Sequence, residues 1–342
     1  QVVMYCVGGL LISLAIQKQY EPALLLPMGF GAILVNLPMS GVIDQITQGA
    51  GTTHGIIQWL FETGIEASEA MPLLLFIGIG AMIDFGPLLS SPKLFLFGAA
   101  AQVGIFLTII AAAAFGFDIV DAAAIGIIGA ADGPTSLLVS QVLGSKYVGA
   151  IAVAAYSYMA LVPIIQPFAI KLVTTKKERA MKMPYAAGQV APASVSLVGF
   201  LMFGNLIREC GVLESLSKTA QHELANLVTL LLGITISFSM RAEQFVTKET
   251  LLILCLGLVA FTLDTIGGVV FAKILNLFCK NKVNPMVGAA GISAFPMSAR
   301  VVEKLGVEAD KTNHLLMHAA GANVAGQIAS VVAGGVILGF FM

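Results

Sequence analysis

The chain has 342 residues, of which 58% are hydrophobic and 11% charged, with a formal net charge of -1 and a mean hydropathy of +0.93. Soluble domains carry about a quarter charged residues, so this chain lacks the polar surface needed to face water on all sides. Lys+Arg 18 against Asp+Glu 19 provides no basic face for nucleic acid, and the length suits on the order of ten membrane spans of about 20 residues better than a large soluble catalytic domain.

Apolar runs occur at 2-16, 22-38, 71-90, 94-117, 119-144, 147-170, 193-207, 224-240, 250-279, 284-299 and 314-342. Long runs with short polar breaks predict a polytopic helical bundle, whereas a transmembrane barrel would show alternating segments of about ten residues. Gln1 is not an initiator residue and no cationic stretch precedes the first run, so a natural start upstream is expected rather than a signal peptide. Cys6, Cys210, Cys255 and Cys279 are scattered and form no CxxC pair, which argues against a disulfide framework or a zinc site. Lys171, Lys176, Lys177, Arg179 and Lys182 form the densest cationic stretch, which the positive-inside rule places in the cytoplasm, and Lys280 and Lys282 suggest a second cytoplasmic loop. The polar break 183-192 is too short to span and separates two expected halves, 1-182 and 183-342.

Several runs combine Gly, Pro and polar side chains in mid-span. Such places break the helical hydrogen-bond ladder, and freed backbone groups are tolerated only where they are buried in protein or line a cavity. The first is Gly129-Ala130-Ala131-Asp132-Gly133-Pro134-Thr135. An intramembrane carboxylate costs about 2.5-3.5 kcal/mol on insertion scales and points to a cation or proton role, alongside capping of the helix that follows. The second, Gly321-Ala322-Asn323-Val324-Ala325-Gly326-Gln327, echoes the first and predicts another broken helix, with Asn323 as a site residue or as packing glue.

The third is the weakly hydrophobic run Asn284-Arg300, with two prolines, two glycines and Ser293, which reads as a re-entrant or discontinuous helix. Arg300 at its end either receives a carboxylate bidentately or snorkels to the interface. Tyr156-Ser157-Tyr158, upstream of Pro163, Gln166 and Pro167, offers phenols that relay protons or belong to an interfacial belt. His314 and His318 lie four apart without the glutamate of a zinc motif and read as packing or interface residues. Asp84 and Asp264 are further mid-run carboxylates, placed in a cavity or at a span edge.

The segments AAAIGIIGAADGPTS (122-136), AIAVAAYSYMALVPIIQP (150-167), NPMVGAAGISAFPMSARV (284-301) and LLMHAAGANVAG (315-326) closely resemble the β subunit of the sodium-pumping biotin-dependent decarboxylases. That family comprises oxaloacetate, methylmalonyl-CoA, glutaconyl-CoA and malonate decarboxylases. The resemblance runs nearly end to end, but an apolar stretch expected between the cationic loop and Ala191 is missing.

The resemblance implies an all-α multi-pass protein of the cell (inner) membrane, with two repeat halves, discontinuous or re-entrant helices, and a transporter-like scaffold and core. The Asp132 broken helix falls in 1-182, and the Asn284-Arg300 and Asn323 broken helices in 183-342. A carboxyltransferase α subunit and a biotin carrier subunit or domain would bring carboxybiotin to this chain, with a small single-span γ subunit in a complex expected to be oligomeric. Decarboxylation would drive Na+ export and consume a proton. By residue match Asp132 is the sodium and proton-coupling carboxylate, and Asn323 and Ser293 share the sodium site. Asn284, Gly288 and Ser293 would form the broken-helix wall, with Asn284 and Gly288 at the cofactor, Arg300 would hold the carboxybiotin or its carboxylate, and Tyr158 would be a candidate to relay the proton.

These residues suggest one coupling scheme. Sodium stabilises the anionic Asp132, and an arriving proton neutralises it and weakens the cation site. Alternating exposure follows if one repeat shifts against a scaffold. The composition alone also admits an ion-coupled secondary transporter of small carboxylates, working without covalent chemistry or partners.

Overall fold

The computed structural model describes residues 1-19, 22-47, 51-66, 70-82, 93-183, 196-279, 282-294 and 297-341. Two compact units result, one from Gln1–Ile83, Tyr147–Val153 and Ser194–Leu252, the other from Asp84–Lys146, Ala154–Ala193 and Ile253–Met342. The fold is helical as expected, with one addition: Asp44–Thr47 and Gly51–His54 pair as a short antiparallel hairpin.

Among the described residues, four helical stretches are long and apolar enough to cross a membrane: Leu94–Ala114, Glu214–Met240, Lys248–Phe278 and Leu316–Phe341. Val148–Met159 with Leu161–Val173 adds a fifth if that bent pair counts as one span. This is fewer than the run count implied, for two reasons. Helices Val2–Lys18 and Pro22–Asn36 have only 17 and 15 residues, and the runs at 119-144 and 284-299 are interrupted in the middle. The apolar stretch missed near Ala191 would fall among residues 184-195, outside the described ones.

Large apolar side chains point outward, among them Phe106, Leu107 and Ile110 on Val103–Ala114 and Val332, Val336 and Phe340 on the C-terminal helix. That face suits lipid. Inside, many alanines and buried polar side chains such as Asp132, Asn323 and Gln166 lie among larger apolar ones such as Phe76, Phe97 and Phe261.

In the first unit, Asn36 joins one helix end to a break in another. Its amide nitrogen donates to the carbonyls of Ala32 and Met240, each at 2.8 Å, and its oxygen accepts from the Ala242 amide at 2.7 Å. Asn36→Leu would leave the buried Met240 carbonyl and the half-buried Ala242 amide without the Asn36 side chain as partner. A loss of about 2 kcal/mol or more is expected, read as a lower unfolding midpoint in detergent. An unchanged midpoint would contradict this role.

In the second unit, helices meet at glycines. Added Cβ atoms at Gly268 and Gly288 would each collide with the other's carbonyl, so these two backbones touch. The cationic stretch is tied down at one end of this unit. Lys273 pairs with Glu178 at 2.9 Å, Lys182 with Asp310 at 3.3 Å and Lys171 with Glu308 at 3.5 Å. Burial pushes the Glu178 carboxyl up, but Lys273 and the Thr175 amide and hydroxyl outweigh it and hold that carboxyl below its ordinary value. The Thr312 amide and hydroxyl, with Lys182, pull Asp310 down to about 2.

Both carboxyls titrate lower in the folded state than in the unfolded one, so the stability they lend is present above the unfolded value near roughly 4 and is lost as pH falls further. An acid-active protease should therefore cut the segment between Val173 and Met183 faster at pH of about 3 than at pH of about 5. Equal rates would contradict this.

Candidate functional site

The run at 119-144 folds as helix Ile119–Gly126, a 3-10 turn Ile127–Ala130 and a second helix, Gly133–Val142. Ala131 between them is left-handed, with φ 53°, a conformation uncommon outside glycine and one the surrounding packing must hold. Asp132 follows in extended conformation and caps the second helix, accepting from the Thr135 amide at 3.2 Å. Pro134 suits that first turn because it has no amide hydrogen to satisfy.

The other Asp132 oxygen accepts from three hydroxyls: Thr135 at 2.8 Å, Ser293 at 3.0 Å and Ser330 at 2.7 Å. The Ser293 and Ser330 hydroxyls are themselves 3.0 Å apart, and all four side chains are buried. Ser293 arrives from a second helix break, between Pro285–Ala289 and Met297–Ala309. Its amide donates to the Ala130 carbonyl at 3.0 Å, so the two breaks pair directly through backbone.

The third wall is the C-terminal helix, and here the structure corrects the sequence expectation. Leu316–Phe341 runs unbroken through Gly321-Gln327. Its glycines serve close packing instead: a Cβ on Gly326 would collide with the Gly291 carbonyl at the neighbouring break. Asn323 donates to the Ile292 carbonyl at 2.6 Å and Gln327 donates to the Ser293 carbonyl. Their side-chain oxygens, buried in the same region, have no hydrogen-bond donor. Asn323, Gln327 and Ser330 occupy positions i, i+4 and i+7, one face of the helix. That spacing of polar residues in an apolar run is a legible signal, and sequence reasoning passed over Gln327 and Ser330 as site residues.

Of the expected site residues, the structure joins Asp132 to Ser293 by a hydrogen bond and brings Asn323 against the backbone beside Ser293. The others stand elsewhere in the same unit. Asn284 caps Pro285–Ala289 and donates to the carbonyls of Arg179 at 3.0 Å and Met181 at 2.8 Å, tying the broken helix to the cationic stretch. Gly288 lies against Gly268. Arg300 is exposed and lines a cleft of about 360 Å³ with Pro163, Pro167, Lys171, Lys304 and Glu308. The Tyr158 hydroxyl donates to the Leu254 carbonyl. Tyr156, two residues earlier, lies with its ring against Gly133, and its buried hydroxyl has no partner.

His314 pairs with Glu303 at 2.7 Å, the four cysteines are free, and no cluster of three His, Cys, Asp or Glu occurs among the described residues. Asp84 lies outside those residues. The oxygens around Asp132 are hard ligands of the kind that suit alkali cations: each hydroxyl that donates to the carboxylate keeps lone pairs free to face an ion.

A buried carboxylate at the meeting of two interrupted helices, inside a multi-pass helical bundle, is the pattern of an ion-translocating membrane protein. Residues 1-341 match the family described as the Na+-transporting oxaloacetate decarboxylase beta subunit, and the chain belongs to that family. It is 42% identical over 413 residues to the probable oxaloacetate decarboxylase beta chain of Vibrio cholerae, covering 100% of this chain and 95% of that one. It is 46% identical over 354 residues to the glutaconyl-CoA decarboxylase subunit beta of Acidaminococcus fermentans, covering 98% and 92%. The methylmalonyl-CoA decarboxylase subunit beta of Propionigenium modestum is 45% identical over 375 residues, covering 99% and 94%.

The chain is thus a membrane subunit of a multi-subunit, biotin-dependent decarboxylase that couples decarboxylation to sodium export. These relatives set aside the free-standing carboxylate transporter.

Proposed function

We propose that a sodium ion and a proton exchange at the Asp132 carboxylate, and that this exchange couples the loss of CO2 from carboxybiotin to sodium export. The carrying observation is the cluster itself: one buried carboxylate, three hydroxyls upon it, and the donor-free oxygens of Asn323 and Gln327 on the adjoining face. A sodium ion takes its charge partner from Asp132 and neutral oxygens from Ser293 and Asn323. A proton at Asp132 removes that charge and releases the ion.

Carboxybiotin, presented by a biotin carrier with a carboxyltransferase α subunit as its source, supplies a labile carboxylate on a ureido nitrogen, which leaves as CO2 and requires a proton in return. The cleft at Arg300 fits such a group: its volume of about 360 Å³ lies within the range of small-molecule sites, about 300-1,000 Å³. Arg300 offers a planar pair of donors to the carboxylate. Asn284 and Gly288 hold the broken helix that leads from this cleft to Ser293. Tyr158 passes the proton inward.

Asp132 and Thr135 come from the half 1-182, and Ser293, Asn323 and Ser330 from the half 183-342. All five belong to one compact unit, and alternating exposure follows if one helical repeat shifts against a scaffold. A small γ subunit and further copies of this chain complete the assembly.

The test is CO2 release from free carboxybiotin by membranes holding this subunit with its partners. Release stimulated by Na+ is expected. Release independent of Na+ would refute the coupling at this site.

A further inference from the structure

Asp264, like Asp132 and Asp121, is a carboxylate buried inside this unit, and nothing in the coupling scheme uses it. It sits at the centre of Lys248–Phe278 and is completely buried. One carboxylate oxygen accepts from the Gly104 amide, in the first turn of Val103–Ala114. That helix follows another interruption, at Ala101-Gln102, and its own cap residue Gln102 makes no capping bond. The Gln102 side chain turns back to the Gly98 carbonyl at 3.1 Å. Asp264 therefore caps this helix from a different helix, its carboxyl oxygen accepting at the helix N-terminus.

The second Asp264 oxygen has no hydrogen-bond partner. It lies against Gly129, where an added Cβ would stand 2.5 Å from it, and at Gly104 a Cβ would stand 2.6 Å from the first oxygen. The carboxylate thus occupies a slot between two glycines. One belongs to the capped helix and the other to the turn that leads through Ala130 and Ala131 to Asp132. Ala130 is also where the Ser293 amide is received.

We infer that Asp264 is a positioning residue for the cation shell: it locks the interrupted helix at Gly104 against the backbone at Gly129 and so fixes where Asp132 meets Ser293 and Ser330. This rests on the reading of the Asp132 cluster as the sodium site. It makes no use of Asp264 as a ligand or a proton carrier, because the groups placed on it are the backbone amides of Gly104 and Ile105.

The test measures the sodium concentration for half-maximal CO2 release by the complete complex, for wild type, Asp264→Ala, Asp264→Asn, Asp264→Leu and Gly129→Ala. Asparagine keeps an oxygen for the Gly104 amide at the same volume, so Asp264→Asn should stay within about threefold of wild type. Asp264→Ala should raise the requirement about tenfold or more, because the cap is lost and the slot empties. Gly129→Ala should raise it similarly by forcing the turn off the carboxylate.

Asp264→Leu, which fills the slot without an oxygen for the Gly104 amide, should be as impaired as Asp264→Ala, an outcome that an emptied slot alone would not give. If Asp264→Ala does not assemble with its partners, the asparagine and Gly129 variants decide. A wild-type sodium requirement in Asp264→Ala, in Asp264→Leu or in Gly129→Ala would overturn the inference, as would an Asp264→Asn complex as impaired as the alanine one. Wild-type CO2 release that ignores sodium would instead overturn the sodium reading of Asp132.

Discussion

Replacing Asp132 with asparagine should abolish both sodium transport and sodium-stimulated CO2 release, while the subunit still folds and assembles. Asparagine keeps an oxygen able to accept from the Thr135 amide and so preserves the cap on Gly133–Val142. What it removes is the one full negative charge in the cluster. At an effective dielectric of about 20, two unit charges about 4 Å apart interact by about 4 kcal/mol, or about a thousandfold in affinity.

The hydroxyls each contribute a neutral oxygen only. Ser293→Ala or Ser330→Ala should therefore weaken sodium about tenfold rather than a thousandfold. Sodium-driven activity in Asp132→Asn near the wild-type level would sink the assignment. So would serine variants that match its loss.

The second large effect is expected at Arg300. Arg300→Ala should lower carboxybiotin decarboxylation about a hundredfold, chiefly through a raised KM for free carboxybiotin. Charged hydrogen bonds contribute about 1.5-3 kcal/mol each, and a bidentate pair is lost. Arg300→Lys keeps the charge without the planar fork and should recover only part of the activity. The side chain is exposed, so neither variant should disturb folding, and the sodium requirement should stay unchanged. A wild-type KM in Arg300→Ala would remove this residue from the carboxybiotin site. A change in sodium requirement alone would place it in the ion pathway instead.

Much of this architecture was legible because a membrane imposes few solutions. The clustering of apolar runs gave the helical class, and the cost of a carboxylate in mid-span singled out Asp132. Gly and Pro around Asp132 and within Asn284-Arg300 marked two real interruptions, since both residues disturb the ladder and polar groups stood beside them. The same signs misled at Gly321-Gln327, where the helix is continuous. Glycine there admits a neighbouring backbone at Gly291, and composition does not distinguish a packing glycine from a breaking one.

Ser330 and Gln327 were missed because attention to interruptions hides a polar stripe on an intact helix. The interruption at Ala101-Gln102 was invisible for another reason. No proline marks it, and its cap comes from Asp264, far away in sequence. Asn284 was noticed, but its bonds to Arg179 and Met181 depend on tertiary contacts that no local pattern reveals.

The most direct measurement is a calorimetric sodium titration of the solubilised complex in two buffers of different ionisation enthalpy, for wild type and Asp132→Asn. If sodium and a proton exchange at this carboxylate, wild-type binding releases protons to the buffer and the Asp132→Asn complex shows no sodium binding in the same range. Sodium binding by Asp132→Asn with wild-type affinity, or wild-type binding that releases no proton at any pH where the complex is active, would contradict exchange at Asp132.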